Sequence, residues 1–197
     1  MDGVERATGI PMPTMILGTG GHARVIADAL LPQSSVMVEP DSQTNLPPNY
    51  AAIGIGDIKK RQALFEKYGA VMVIHPKAVI AHSARIGWGA QIMAGAIVQA
   101  NAVIGDNVLI NTNASVDHDC IIGPHCHIAP GAVLCGYVNI GEGSFIGAGA
   151  IIVQGVQLEP GSFIPAGSLV VSQKQDDIRR PTRVVRDDRA DQAATGP

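Results

Sequence analysis

From Ile74 to Leu169 the apolar positions recur every six residues. Read in sixes, the chain runs IHPKAV, IAHSAR, IGWGAQ, IMAGAI, VQANAV, IGDNVL, INTNAS, VDHDCI, IGPHCH, IAPGAV, LCGYVN, IGEGSF, IGAGAI, IVQGVQ, LEPGSF and IPAGSL; all sixteen blocks begin with Ile, Val or Leu. The fifth place is always small: Ala, Val, Cys or Ser. The three aliphatic types fill about a quarter of an ordinary chain, so their unbroken register marks an internal repeat. An amphipathic helix would place apolar residues at i, i+3, i+4 and i+7, and a plain strand would alternate before turning; neither pattern persists here. Gly recurs in the second and fourth places, among them Gly87, Gly89, Gly105, Gly123, Gly141, Gly143, Gly147 and Gly149. There a corner needs a positive φ or a close backbone approach. The pattern predicts a parallel β-solenoid over 74–171, each hexad forming one short face and three hexads one triangular coil. First-position residues then stack as inward ladders, each worth about 1.5–3 kcal/mol of burial, and the neighbour terms add along the stack.

Ahead of the repeat the texture differs. Residues 1–13 carry Gly9, Pro11 and Pro13 without periodicity and read as a flexible lead-in. Met15–Leu17 reads as a strand, Gly18-Thr19-Gly20-Gly21-His22 as a glycine turn, and Ala23–Leu31 as a helix stopped by Pro32. Val36–Val38, Ala51–Ile55 and Val71–Val73 read as further strands. A helix runs from an Asp57 N-cap through Tyr68 to a Gly69 stop. The alternation predicts a small Rossmann-like α/β domain over 14–73, preceding the β-helix. After Val171 a polar and then basic, Pro-containing tail spans 172–197, with disorder expected from Asp187 onward.

Composition narrows the function. Aromatics are only 4%, which suits a solenoid filled by aliphatics, and the net charge of -3 comes without a Lys/Arg cluster interleaved with aromatics, so nucleic acid is a poor partner. No run approaches the length of a membrane span, and no signal-type apolar stretch opens the chain. The three cysteines, Cys120, Cys126 and Cys135, lie inside the repeat without metal-type spacing, and fit a reducing cytoplasm. Cys120 and Cys126 take small fifth positions and read as buried space-fillers.

Two stretches carry candidate chemistry. Gly18-x-Gly20-x-x-Ala23 fits the strand–turn–helix fingerprint that presents backbone amides to a phosphate. Its domain is too short for a two-lobed dinucleotide site, so a mononucleotide or nucleotide sugar suits it better, and a plain tight turn is the alternative. Glu39 or Asp41, ending the second strand, stands where an acid reaches a ribose or base. The second stretch runs from Asn111 to Cys120. His118 takes an outward third position beside Asp117 and Asp119, where a carboxylate orients an imidazole for general-base work; a surface His beside surface acids is the alternative. Gly136 lies one coil further on and sets a bare N–H over His118, while His127 falls half a coil away. Zinc is the rival reading. His82 and His118 are two coils apart, as in the gamma-class carbonic anhydrases, but His125 and His127 fit the third-ligand spacing of that family badly.

The GxGGH turn, the IGD at the third strand, the hexads and the run INTxxxxDHDC together resemble the bacterial nucleotide-sugar acyltransferases. These acetylate 4-amino sugars such as UDP-4-amino sugars in bacillosamine synthesis and GDP-perosamine, with sialic acid O-acetyltransferases nearby. The resemblance covers about residues 14–181. It implies a left-handed β-helix, an exception to the usual right-handed crossover, a homotrimer with sites between subunits, and acetyl-CoA as co-substrate without a metal. By that likeness His118 deprotonates the sugar amine, Asp119 raises its basicity, and the Gly136 amide receives the thioester carbonyl. His127, Ala148 and Ala166 would contact acetyl-CoA, while Gly20, Gly21, His22, Gly56, Asp57 and Asn111 would hold the nucleotide sugar. Glu39 stands where the family usually has Asp, the chain is abbreviated between Val38 and Ala51, and Arg180-Pro181-Thr182 replaces a closing G-x-P-A segment.

Overall fold

A computed structural model of the chain describes residues 15–30, 36–38, 46, 49–171 and 178–179. The lead-in, Glu39, Asp41, Arg180-Pro181-Thr182 and the end of the tail lie outside these residues.

The amino-terminal part is a three-stranded parallel sheet in the order β2-β1-β3, formed by β1 (Met15–Leu17), β2 (Val36–Val38) and β3 (Ala51–Ile53). Helix α1 (Gly21–Ala29) follows β1 and buries Ala23, Ile26 and Ala29; α2 (Ile58–Tyr68) follows β3. Asp57 caps α2 by accepting from the Lys60 amide at 2.9 Å, and Gly69, at φ 64°, ends it. Among the described residues, three strands and two helices are one strand short of the Rossmann-like domain expected from the sequence. The fourth strand expected at Val71–Val73 does not join this sheet. The Val71 amide donates to Ala51 O at the sheet edge, and two residues later the Val73 amide donates to Ala90 O in the solenoid. An apolar triplet suits either surface, and the chain passes from one to the other through it.

From Val73 the chain winds as a left-handed parallel β-helix of two-residue strands, β4 (Val73–Ile74) to β20 (Leu169–Val170). Each strand from β4 to β17 pairs with the one a full coil later, giving three faces. First-position side chains fill the interior: Ile92, Ile110, Val116, Ile128, Leu134, Ile140, Ile146 and Ile152 are fully buried. Small fifth-position residues such as Ala102, Ala114, Cys120, Cys126 and Ala132 are buried among them, because a larger side chain would not fit beneath the corner. The ladder fails only where neighbours run out: Ile74, on the first rung, is 44% exposed. From Gly89 onward, fourth positions adopt the left-handed conformation whether or not they hold glycine, as at Asn101, Asp119 and Tyr137. Second positions are glycine for another reason. A Cβ on Gly105 would lie 2.7 Å from Pro124 N of the next coil.

Outward columns follow from the pairing register. On the first face Val73, Gln91, Leu109, His127, Phe145 and Phe163 align, and the α/β part sits against this column: Leu109 and Met93 pack with Ile16, Ile26 and Ala52. The second face aligns Val79, Ile97, Ser115, Val133, Ile151 and Leu169, a column facing outward that is apolar at every place but Ser115. A last strand, β21 (Ile178–Arg179), pairs antiparallel with β20 on this face. No helix among the described residues is long and apolar enough to cross a membrane.

Candidate active site

His118 projects from the corner between the second and third faces, and its side chain is 46% exposed. Its Nδ1 lies 2.8 Å from Asp119 Oδ2. A carboxylate there only accepts, so in the neutral ring Nδ1 carries the proton and Nε2 the lone pair. Asp119 reaches back to its own neighbour because it occupies a fourth position at φ 57°. Its other oxygen accepts from Asn101 Nδ2, one coil below, at 3.2 Å. The hydrogen bond from His118, then that from Asn101, holds the Asp119 carboxyl below its ordinary value, so it remains an anion beside the ring.

One coil above stands Gly136. A Cβ there would lie 2.7 Å from both Cε1 and Nε2 of His118, so only a residue without a side chain leaves room for the imidazole. The Gly136 carbonyl accepts from Gly155, while its amide engages no partner among the described residues. Tyr137 meets the His118 ring edge-on with centroids 5.1 Å apart. The result is a ring with one free basic nitrogen beside an unspent backbone donor, a pairing suited to proton removal and oxyanion binding.

A second cluster lies on the first face, under the α/β part. His127 is 9% exposed; its Nδ1 is 3.2 Å from Gly56 O and its Nε2 3.2 Å from Asn111 Nδ2. Thr112 N donates to Asn111 Oδ1 at 2.8 Å, which fixes that amide with its NH2 toward His127. Burial, helped by the Arg61 and His22 charges, pushes His127 down to about 4. His22 Nε2 is 2.7 Å from Gln91 Oε1, while Gln91 Nε2 donates to Ile53 O, so Gln91 joins α1, β3 and the solenoid. Burial lowers the His22 pKa as well. Gly20 and Gly21 open α1 as exposed backbone, with no side-chain cap on the helix. Gly56 and Asp57 line a cleft of about 390 Å³, with Ile58 and Lys59 on one wall and Phe145 and Phe163 on the other. Those two rings stack at 5.3 Å. Ala148 and Ala166 are exposed, one coil apart, on the corner between the first and second faces.

The structure thus joins His118, Asp119 and Gly136 in one place, and His22, Gly56, Asn111 and His127 in another. It does not bring the two clusters together within one chain: His118 stands on one edge of the apolar second face, Ala148 and Ala166 on the other. Among the described residues no three His, Cys, Asp or Glu side chains group as a metal site requires. His82 stands two coils below His118 on the same corner, with Ala100 between them. Sequence reasoning missed Asn101, Tyr137, Gln91 and Arg61. The coil length would have found the first two, since Asn101 is one coil below Asp119 and Tyr137 one coil above it.

A model of the bacterial transferase hexapeptide (six repeats) matches residues 101–136. Among solved structures, the acetyltransferase domain of PglB from Neisseria gonorrhoeae FA1090 is 32% identical, with a TM-score of 0.72, over 83% of this chain and 93% of that one. The GDP-perosamine N-acetyl transferase from Caulobacter crescentus, in a mutant form with CoA and GDP-perosamine, is 34% identical, with a TM-score of 0.74, over 81% and 89%. WeeI from Acinetobacter baumannii AYE shares the fold at 23% identity and a TM-score of 0.59, over 84% and 98%. A comparison with curated proteins finds no match. The solenoid and these relatives together define a hexapeptide acyltransferase. The chain belongs to the bacterial nucleotide-sugar acetyltransferase family of that class.

Proposed function

We propose that this protein transfers the acetyl group of acetyl-CoA to the 4-amino group of a nucleotide-linked amino-deoxy sugar, in the cytoplasm and as a homotrimer. His118 Nε2 takes a proton from the amine as its nitrogen attacks the thioester carbonyl. The Gly136 amide receives the developing oxyanion, and collapse expels the CoA thiolate, which recovers the proton from His118. Residues 14–73 hold the nucleotide sugar through Gly20, Gly21, His22, Gly56 and Asp57, with Asn111 toward the sugar. Residues 74–171 carry the transfer, with the pantetheine arm along Ala148 and Ala166 and the acetyl end toward His127.

The observation that carries this reading is the His118–Asp119 hydrogen bond, which leaves Nε2 basic beside an unengaged glycine amide. The relatives support the substrates: one was solved with CoA and GDP-perosamine and another with acetyl coenzyme A. The apolar second face supports the trimer. Val79, Val133 and Ile151 are 61%, 37% and 42% exposed there. Packing such faces together would set the His118 corner of one subunit beside the Ala148 corner of the next.

The test is a panel of UDP-, GDP- and dTDP-linked amino sugars, with hydroxyl acceptors beside them, assayed for CoA release. His118→Ala should cost about 10²–10⁴-fold in kcat with the assembly unchanged. Near-normal turnover in that variant, or transfer only to hydroxyl acceptors, would overturn the mechanism or the acceptor respectively.

A further inference from the structure

Arg61 has no part in the chemistry above, yet among the described residues it is the largest fully buried side chain. No described carboxylate lies within ion-pairing distance of it. Instead the guanidinium donates to four carbonyls: Gly56 at 3.2 Å, Asn107 at 3.3 Å, and His125 and Cys126 at 3.1 Å each. Burying a cation without a counterion is costly, and a well-packed apolar residue would be cheaper for stability alone. The placement therefore points to a role in the site. Gly56 O is also the acceptor of His127 Nδ1. One carbonyl oxygen with two lone pairs thus serves both the guanidinium and the imidazole.

The consequences for His127 follow from hydrogen-bond chemistry. Gly56 O can only accept, so His127 must carry its proton on Nδ1. Asn111 presents its NH2 to Nε2, because its oxygen is held by Thr112 N, so Nε2 must be the lone-pair nitrogen. A second proton would set N–H against N–H. We propose that Arg61 is a positioning residue: by sharing the Gly56 carbonyl it locks His127 as the neutral Nδ1–H imidazole and ties the Gly56–Asp57 turn to the solenoid. The turn that meets the nucleotide sugar and the ring that meets the acetyl donor are thereby set by one side chain. That assignment of ligands rests on the acetyltransfer reading; the lock itself does not.

The groups around His127 agree with the lock. Arg61 approaches from α2 and His22 from α1, both acting against a further positive charge. Asp57, at the start of α2, is exposed and pulls on Arg61 rather than on the ring. His125 and Cys126 precede His127 on its own corner, where His125 meets Phe65 edge-on and burial pushes the Cys126 thiol up to about 11, so it stays uncharged. Glu142 lies near Cys126. Arg61 itself is lowered to about 10 by burial and remains a cation at neutral pH.

The experiment is long-range ¹H–¹⁵N spectroscopy of the histidine rings in the full chain. His127 should show a protonated Nδ1 and a lone-pair Nε2, unchanged between about pH 5.5 and 8. In Arg61→Met its titration should move up into that window, and Arg61→Lys, which keeps the charge but not the fork, should fall between. With substrates, Arg61→Lys should raise both KM values about tenfold while kcat changes little. A wild-type His127 that carries its proton on Nε2, or titrates like a free imidazole, overturns the proposal even if the variants do not fold. So does Arg61→Lys losing kcat with both KM values unchanged. The wild-type spectrum needs no substrate, so finding no acetyl acceptor would overturn the acetyltransfer reading and leave the lock standing.

Discussion

Gly136 and His118 occupy a shared space: the Cβ that Gly136 lacks would fall 2.7 Å from two atoms of the His118 ring. The imidazole therefore takes its position by default of a side chain one coil above it. Gly136→Ala should displace the ring from its place without disturbing the coil, since the Gly136 carbonyl still accepts from Gly155. We expect kcat to fall by about 10²–10⁴-fold, the loss typical of a misplaced general base, with the thermal midpoint nearly unchanged. Steady-state kinetics alongside calorimetry would check both halves.

Acid should unfold this protein earlier than its core would suggest. Unfolded, His127 has the ordinary value of 6.5; folded, it is held at about 4. Between those values the unfolded chain binds a proton that the folded chain refuses. The stabilisation is thus complete above about pH 6.5 and drains as pH falls toward 4. His22, lowered by burial, acts in the same direction. The thermal midpoint should drop across this window, and His127→Asn should flatten part of the slope.

The inward ladder makes its own prediction. Ile128 is fully buried in the middle of the stack, between Ile110 and Ile146. Ile128→Ala should cost about 2–5 kcal/mol, because the rigid coils above and below cannot close the cavity. Ile74→Ala, on the half-exposed first rung, should cost far less. Denaturant midpoints of the two variants would separate them.

The coil thiols should be inert. Burial pushes Cys120 and Cys126 up to about 11, and each sulfur donates to a carbonyl, Cys135 O and Gly141 O respectively. Native protein treated with iodoacetamide at neutral pH should show neither residue modified by mass spectrometry. Label at Cys120 before unfolding would contradict the packing.

Most of the solenoid was legible because a six-residue period leaves little choice: the first position must face inward, and the corner positions must be small or left-handed. The placement of Gly136 over His118 was legible for the same reason, since coil length sets it. What escaped was whatever depends on the two parts meeting. Arg61 follows Lys59 and Lys60 on α2, and nothing local says that it turns inward to four carbonyls. The same gap explains Val73, whose apolar neighbours suit a sheet edge or a first rung equally. His127 could be placed half a coil from His118 by register, but nothing local says that Gly56 comes down upon it.

The antiparallel pairing of Ile178–Arg179 on Leu169–Val170 has one more consequence. A stack of parallel rungs has no natural last member, and its terminal strand offers an open row of amides and carbonyls to any other chain. A strand running the opposite way ends that row on one face, because the next coil cannot continue over it in register. Truncation after Val171 should therefore leave the His118 corner whole while making the protein prone to end-to-end growth, seen as concentration-dependent scattering.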